Sequence, residues 1–394
     1  MKNHLVVVSL LDGKGPTGVE THFNQVLDAA RAAGIDGVLV SAYPAQRLWA
    51  TLARRLLPLV RLVSAEHAEI LSLRINGAIL FAKLAILLTH ASGPVTLYAQ
   101  DPLSACIALK LKLKLKRAHQ CRVVTVVHYN LSQSDELLTQ GVAARGGPLW
   151  RFIEAAEAQA LARVDHIIFV SAFMQREIAR RMPATGAVRQ SVIPHCAGSA
   201  TAHSTEPPTG KHLIAIGTLE TRKNQAFLLQ VLARAQARGF RYTLTLVGNG
   251  PDHAMLMALT LQLGLQEQVT FAGFQKNAAR LIAQHRMLVH AALIENLPIT
   301  LIEALAAGRP ILAPAVGGIP EIFSDGVEGY FWPLHDPDAA ATLLIHALGD
   351  APNYRRLARA ARVRYQENFH CDQLTARWLA TILDLPQRVP VMAS

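Results

Sequence analysis

Two carboxylates set the chemistry available to this chain. In "ENLPITLIE", residues 295–303, Glu295 and Glu303 bracket seven uncharged residues, with "HAALI" before and "ALAAG" after. Glutamates are rarely buried without a partner. Pro298 suits the first turn of a helix, where its missing N–H would be an orphan anyway, and Asn296 is a candidate N-cap. Such a helix puts Glu295 just outside and Glu303 about two turns in, with Cα atoms roughly 12 Å apart. That spacing suits two contacts on one elongated ligand better than a paired general acid and base. A carboxylate can accept both hydroxyls of a ribose or sugar diol, and helix N-terminal amides can meet an anion between the two ends. A capping glutamate followed by a surface glutamate would give the same pattern without function.

Cations come next. In "IAIGTLETRKNQAFLLQVLARA" a strand ends at Gly217, a polar loop carries Arg222 and Lys223, and a helix follows from about Asn224. Cations beside a helix N-terminus oppose its dipole, and a bound phosphate would offset that cost. Two solvated loop charges fit this stretch equally well. "LVGNGPDHAML" repeats the strand, turn and helix, with Gly248 and Gly250 allowing either a tight turn or close ligand approach. In "FAGFQKNAARLIAQ", Phe274 stands past another strand end, where it could abut a planar base.

The elements that must position these residues alternate from end to end. "HLVVVSL" (4–10), "DGVLVSA" (36–42), "VTLYAQ" (95–100), "VVTVVH" (123–128) and "HIIFVS" (166–171) read as buried parallel strands with helices between, such as "THFNQVLDAARAAG" (21–34). After the Ser/Thr/Pro-rich "CAGSATAHSTEPPTGK" (196–211) the pattern restarts with "HLIAIG" (212–217), "YTLTLVG" (242–248), "VTFAG" (269–273), "RMLVHAA" (286–292) and "PILAPAV" (310–316). The fold class is therefore α/β, with two doubly wound domains and a cleft between them. The expected divisions are a first domain over 1–198, a linker over 199–211, a second domain over 212–370, and a C-terminal helix and tail over 371–394.

Composition narrows the classes. A chain of 394 residues, 51% hydrophobic, is too long for one ordinary core. Cys106, Cys121, Cys196 and Cys371 lie far apart without a CxxC pair, which argues against a disulfide framework or zinc site and for a reducing cytoplasm. His119, His128 and His203 are scattered, and His195 beside Cys196 reads as loop filler. The N-terminus reads as a first strand rather than a signal peptide. The segment 75–90 carries Lys83 and is shorter than a span needs, so it reads as a buried helix.

The net charge of +11 is unevenly placed. Residues 1–200 hold 22 Lys and Arg against 13 Asp and Glu, and the remainder 17 against 15. The first half carries the surplus, partly in "ALKLKLKLKRAHQCR" (108–122), read as a helix ending in a basic turn, and in the leucine- and arginine-rich 48–67, which suits an interfacial amphipathic segment. Solvated faces of ordinary helices would explain each stretch taken alone. Together they favour an anionic membrane surface as partner over nucleic acid, because no aromatics interleave with the lysines.

Five elements in one order carry a resemblance to a known family. "IGTLETRKN", "LVGNGP", "VTFAGF", "ENLPITLIEALAAGRPILAPAVGGIPEI" and "DGVEGYFWPLHDP" make residues 211–346 similar to the donor domain of retaining GT-B glycosyltransferases of family 4. More loosely, "GPTGVETHF" (15–23), "VVTVVHYN", "IIFVSAFMQREI" and "VIPHCAG" resemble that family's first domain. The resemblance implies that Glu303 binds ribose hydroxyls, that Glu295 lies beside the transferred sugar with amides around Asn296, Leu297 and Pro298, and that Lys223, helped by Arg222, neutralises the departing diphosphate. It further implies backbone approach to phosphate at Gly18, donor contacts at Thr218, Gly250 and Phe274, a His128 near the reacting carbon, and acceptor contacts from Lys14, Tyr129 and Asn130. Relatives often carry arginine at the place of Thr218 and glycine at that of Thr17, so individual phosphate contacts differ here.

The expectation is a cytoplasmic GT-B glycosyltransferase, peripheral on the inner face of a membrane. It would take a UDP- or GDP-linked sugar as co-substrate, with no cofactor or metal, and serve a glycan or lipid-linked saccharide acceptor with retention of configuration, in cell-surface polysaccharide or lipopolysaccharide assembly. A nucleotide-sugar epimerase of the same architecture is the rival enzyme, and a nucleotide-binding membrane protein without catalysis the rival outside enzymes.

Overall fold

The computed structural model describes residues 4–10, 18–42, 57–91, 93–114, 120–139, 141–198 and 206–385. These fall into two compact units, Met1–Pro194 with Asp372–Ser394, and His195–Cys371.

The first unit is built on strands β1 (His4–Ser9), β2 (Asp36–Ser41), β3 (Val95–Ala99), β4 (Cys121–Val127), β5 (His166–Phe169) and β6 (Arg189–Val192). They form one parallel sheet in the order β2-β1-β3-β4-β5-β6. Helices α1 (Gly18–Ala32), α2 (Leu57–Val63), α3 (Ala65–His90), α4 (Pro102–Lys114), α5 (Gln133–Thr139), α6 (Pro148–Leu161) and α7 (Ala172–Arg181) connect them. β1, β3 and β4 are mostly apolar and almost entirely buried because helices cover both faces of a parallel sheet.

The second unit repeats the plan with β7 (Leu213–Ile216), β8 (Leu244–Val247), β9 (Val269–Gly273), β10 (Met287–Val289), β11 (Ile311–Ala313) and β12 (Gly329–Phe331), ordered β12-β11-β10-β7-β8-β9 and again parallel. Its helices include α8 (Gln225–Ala237), α9 (His253–Gln262), α10 (Ala278–Ile282), α11 (Ile299–Ala306), α12 (Ile319–Ile322), α13 (Pro337–Gly349) and α14 (Ala351–Asn368). Helix α15 (Cys371–Leu383) belongs to the first unit, where Trp378 Nε1 donates to the Pro194 carbonyl at 3.0 Å and Arg189 pairs with Asp384 at 2.6 Å.

Several expectations change. Helix α3 starts ten residues before the expected segment and runs for 26, with a mean hydropathy of 1.8 over its most apolar window. Length and composition would therefore allow a span, but Leu80, Leu84 and Leu88 sit in the first unit's core, and Lys83 donates to the Ser41 carbonyl at 3.0 Å. The basic turn of α4 is partly spoken for: Lys112 pairs with Asp165 at 2.7 Å, and Lys114 lies over the Phe81 ring. Of the 48–67 segment, residues 48–56 lie outside the described residues. The expectation of unpaired cysteines is also corrected, since Cys196 and Cys371 form a disulfide across 175 positions. Distance along the chain hid this pair because the fold returns the end of the second unit to its beginning.

Candidate active site

In each sheet the strand order reverses once, between β1 and β3 and between β7 and β10. Open α/β sheets bind ligands outside the carboxyl ends of strands at such a switch point. In the second unit, Lys223 follows β7 and Glu295 follows β10, so the two flank the reversal.

The loop after β7 is shaped by its neighbour. Leu219 N donates to the Asn249 carbonyl and Asp252 N to the Leu219 carbonyl, nesting the two turns together. A Cβ at Gly250 would run into the backbone of Leu219, so the nesting of the two loops requires a glycine here. The chain then makes a tight 3₁₀ turn over Thr221–Lys223, passes through Asn224 at φ 53°, and enters α8. Thr218 is exposed, and its carbonyl accepts from the Gln225 side chain at 2.8 Å. The turn is clasped to the loop after β10: Leu293 N donates to the Arg222 carbonyl at 2.9 Å, and Arg222 donates to Glu220 at 2.7 Å and to the Ile294 carbonyl at 3.4 Å.

Glu295 is buried at the centre of this clasp, and one oxygen takes every contact. Oε1 is ion-paired with Lys223 Nζ, and lies 3.3 Å from His290 Nε2 and 3.7 Å from Arg222 Nη1. Oε2 has no polar partner among the described residues. Burial pushes the carboxyl upward, but Lys223 and His290 outweigh it and hold Glu295 at about 2. The residue is thus an ionised carboxylate with one oxygen tethered and the other available. Its backbone is fixed as well: Gly318 N donates to the Glu295 carbonyl at 3.1 Å, and at Gly317, φ 58°, a Cβ would strike that same carbonyl.

Glu303 sits on α11 with the opposite character. Its carboxylate has no hydrogen-bond partner among the described residues, and burial alone raises its carboxyl to about 7. The helix begins at Ile299, with Pro298 as its extended N-cap, so Asn296 is not the expected cap but a buried residue two positions earlier. Leu297 is buried too, whereas Phe274 stands 54% exposed beyond β9.

The first unit supplies a separate set of groups at its own switch point. Gly18 is the first residue of α1, following β1, while Lys14 and Thr17 lie outside the described residues. His128, just past β4, meets the Gln100 side chain with Nε2 at 3.3 Å and packs edge-on against His22. His22, buried, shares a 2.7 Å hydrogen bond with the Tyr98 hydroxyl. Tyr129 and Asn130 do not present the groups expected to meet an acceptor. The Tyr129 hydroxyl is buried and donates to Glu157 at 2.8 Å, and Asn130 donates from both its backbone and its side chain to Glu136.

His290, His22 and Gln100 escaped sequence reasoning, although all three lie within or beside the quoted strand-end motifs. Among the described residues no group of three or more His, Cys, Asp or Glu comes together as a metal site needs.

Comparison with known proteins agrees with this architecture. The model for group 1 glycosyl transferases matches residues 200–364, and that for glycosyltransferase family 4 matches residues 16–196. The chain belongs to the GT-B glycosyltransferases of family 4. It is 30% identical over 142 residues to N-acetyl-alpha-D-glucosaminyl L-malate synthase of Bacillus anthracis, covering 36% of this chain and 37% of that one. It is 24% identical over 180 residues to the amylovoran biosynthesis glycosyltransferase AmsK of Erwinia amylovora, 44% of each. The matches thus span less than half the length of these curated relatives. Among solved structures, sucrose-phosphate synthase of Thermosynechococcus elongatus shares the fold at TM-score 0.70 and 17% identity, covering 96% and 97% of the two chains. HepE of Anabaena, solved with UDP and glucose, shares it at TM-score 0.69 and 17% identity, covering 98% and 100%.

Proposed function

We propose that this chain is a retaining glycosyltransferase that moves a sugar from a UDP- or GDP-linked donor to a hydroxyl of a glycan or lipid-linked saccharide, in the assembly of a cell-surface polysaccharide or lipopolysaccharide. The observation that carries the reading is the contrast between the two glutamates. Glu303 is a partly buried carboxyl without a hydrogen-bond partner among the described residues, suited to a ribose diol. Glu295 is an anchored anion with one oxygen open, suited to a sugar hydroxyl.

Breaking the anomeric C–O bond builds negative charge on the departing diphosphate. Fixed cations stabilise that charge most in the transition state, and Lys223 and Arg222 stand beside Glu295 to supply them. These residues do the work that a divalent cation would otherwise do, so the reading invokes no metal and no cofactor. Phe274 offers an exposed ring to the base, and Gly18 admits phosphate near the first unit's helix terminus. His128 addresses the donor sugar.

The proposed place is the cytoplasmic face of a membrane. Helix α2 supports this: none of its seven residues is buried, and Leu59, Leu62 and Val63 are 62%, 84% and 89% exposed, next to Arg61. An apolar ridge carrying a cation at Arg61 suits an anionic lipid surface.

The test is thermal stabilisation of the purified protein by UDP and by GDP, beside Glu303→Ala. At about 100-fold over Kd a nucleotide adds roughly 2.7 kcal/mol, enough for a shift of several degrees. One nucleotide should stabilise the protein and the variant should lose the effect. Stabilisation by neither would sink the donor-site reading.

A further inference from the structure

We propose that His290 is a positioning residue for Glu295, holding that carboxylate in place when a diphosphate draws Lys223 away from it. This rests on the donor-site reading above.

His290 follows β10 directly, at the switch point of the sheet, and is 5% exposed. Its backbone is pinned on both sides, with His290 N donating to the Leu312 carbonyl at 2.8 Å and Trp332 Nε1 donating to the His290 carbonyl at 2.9 Å. The ring therefore has a fixed origin. Its Nε2 lies 3.3 Å from Glu295 Oε1, a close approach that stops short of hydrogen-bond geometry, and has no hydrogen-bond partner among the described residues. Burial disfavours the charged imidazolium, so the ring is neutral, and with its proton on Nε2 it is a donor whose nearest acceptor is Glu295 Oε1, ready to close that bond when Lys223 leaves.

Lys223 shares the same oxygen. Its ammonium rides on a flexible stem, and a diphosphate carries more negative charge than one carboxylate, so a bound donor competes for it. Arg222 cannot take over fully, because its guanidinium is already engaged by Glu220 and the Ile294 carbonyl and stands 3.7 Å from Glu295. Once Lys223 turns to phosphate, His290 is the nearest donor left. Without it, a buried carboxylate that has lost its closest cation would rotate or take up a proton. Either change would withdraw Oε2 from a sugar hydroxyl.

The experiment compares wild type, His290→Ala and His290→Gln by calorimetric titration with UDP and GDP and with the corresponding nucleotide-sugars, followed by kcat and KM with whichever donor is used. His290→Ala should leave nucleoside diphosphate affinity within about twofold, yet cost about tenfold in the added affinity of the sugar or in kcat, as expected for one hydrogen bond to a charged group. His290→Gln, whose side-chain N–H can reach the same oxygen, should recover most of it. If the alanine variant does not fold, His290→Met replaces it and should show the same loss. Equal weakening of diphosphate and nucleotide-sugar by His290→Ala would make the residue merely structural and overturn the proposal. So would variants indistinguishable from wild type. Failure of wild type to bind any nucleoside diphosphate is a different result, and removes the donor-site reading instead.

Discussion

Glu295 and Glu303 share one loop-and-helix segment, yet their carboxyls are driven in opposite directions, to about 2 and about 7. Glu295 is buried and Glu303 partly so, and loss of solvent by itself pushes each one up. What separates them is company. Lys223 and His290 meet Glu295, while no described side chain meets Glu303. Carboxylates whose environments push them apart are a mark of distinct roles within one site.

Glu303 makes binding depend on pH. A ribose diol needs the ionised form as acceptor, so a nucleoside diphosphate should bind with uptake of Glu303 into that form and release of a proton. Affinity should fall by about tenfold per unit as pH drops below 7, and level off above it. For stability the sign is opposite. The folded value lies above the unfolded 4.5, so the contribution is present below pH 4.5 and lost as pH rises through about 7. Glu303→Gln should therefore melt higher than wild type at pH 8.5 and no higher at pH 4. Melting curves at the two pH values, with calorimetry in buffers of different ionisation enthalpy, decide the matter.

Lys223 and Glu295 should behave as a coupled pair. Removing the ammonium leaves a buried carboxylate short of its closest cation, so Lys223→Met should cost about 3 kcal/mol of stability. Lys223→Met with Glu295→Gln should cost less than the sum of the single changes, because the orphaned charge is gone. Urea unfolding of the four proteins measures the coupling. Additive costs would mean that the pair does not hold the loop.

Much of this was legible in the sequence, and the reasons are physical. The central strands are continuous apolar runs because helices cover both faces of each sheet. The edge strands β6 and β12 are short and half exposed, as "RQSV" and "GYF" show, and gave no such run. The site segments were legible because their carboxylates, cations and glycines punctuate strand–loop–helix passages. Pairings across the chain were not. Glu295 with Lys223, His22 with Tyr98, and Cys196 with Cys371 join positions 72, 76 and 175 apart, and only the topology brings them together. Tyr129 misled for a related reason, since its partner Glu157 lies 28 positions on, in helix α6.

Tyr129 should accordingly report on stability and not on the acceptor. Tyr129→Phe removes the hydroxyl that Glu157 accepts, at a site where burial already raises that carboxyl to about 7. The expected cost is roughly 1–3 kcal/mol in unfolding free energy. Acceptor KM should stay unchanged. A raised KM with unchanged stability would return Tyr129 to the acceptor site.

The Cys196–Cys371 bond closes nearly the whole second unit into one loop. Cross-linking a loop of this length restricts the unfolded chain, worth about 5 kcal/mol in the chain-entropy account. Reduction, or Cys196→Ser with Cys371→Ser, should lower the melting temperature by several degrees. Peptide mapping after alkylation without reductant should find these two cysteines blocked. Free alkylation of both in protein purified without reductant would show that the bond does not form.

Helix α2 should decide whether membrane docking is apolar or only electrostatic. Leu59 and Leu62 lie three positions apart on a helix with no buried residue, so replacing them removes apolar surface without opening a core. Vesicles containing anionic phosphatidylglycerol should sediment the wild-type protein more than neutral phosphatidylcholine vesicles. Leu59→Ser with Leu62→Ser should reduce that binding by at least about tenfold, since even two buried methylene equivalents at roughly 0.8 kcal/mol each exceed that factor. Raising salt should weaken what remains, because the cations act through screened attraction. Binding that vanishes with salt but ignores the leucine changes would place docking on the basic surface alone. Binding to neither vesicle would remove the membrane from the proposed function and leave a glycan acceptor in solution.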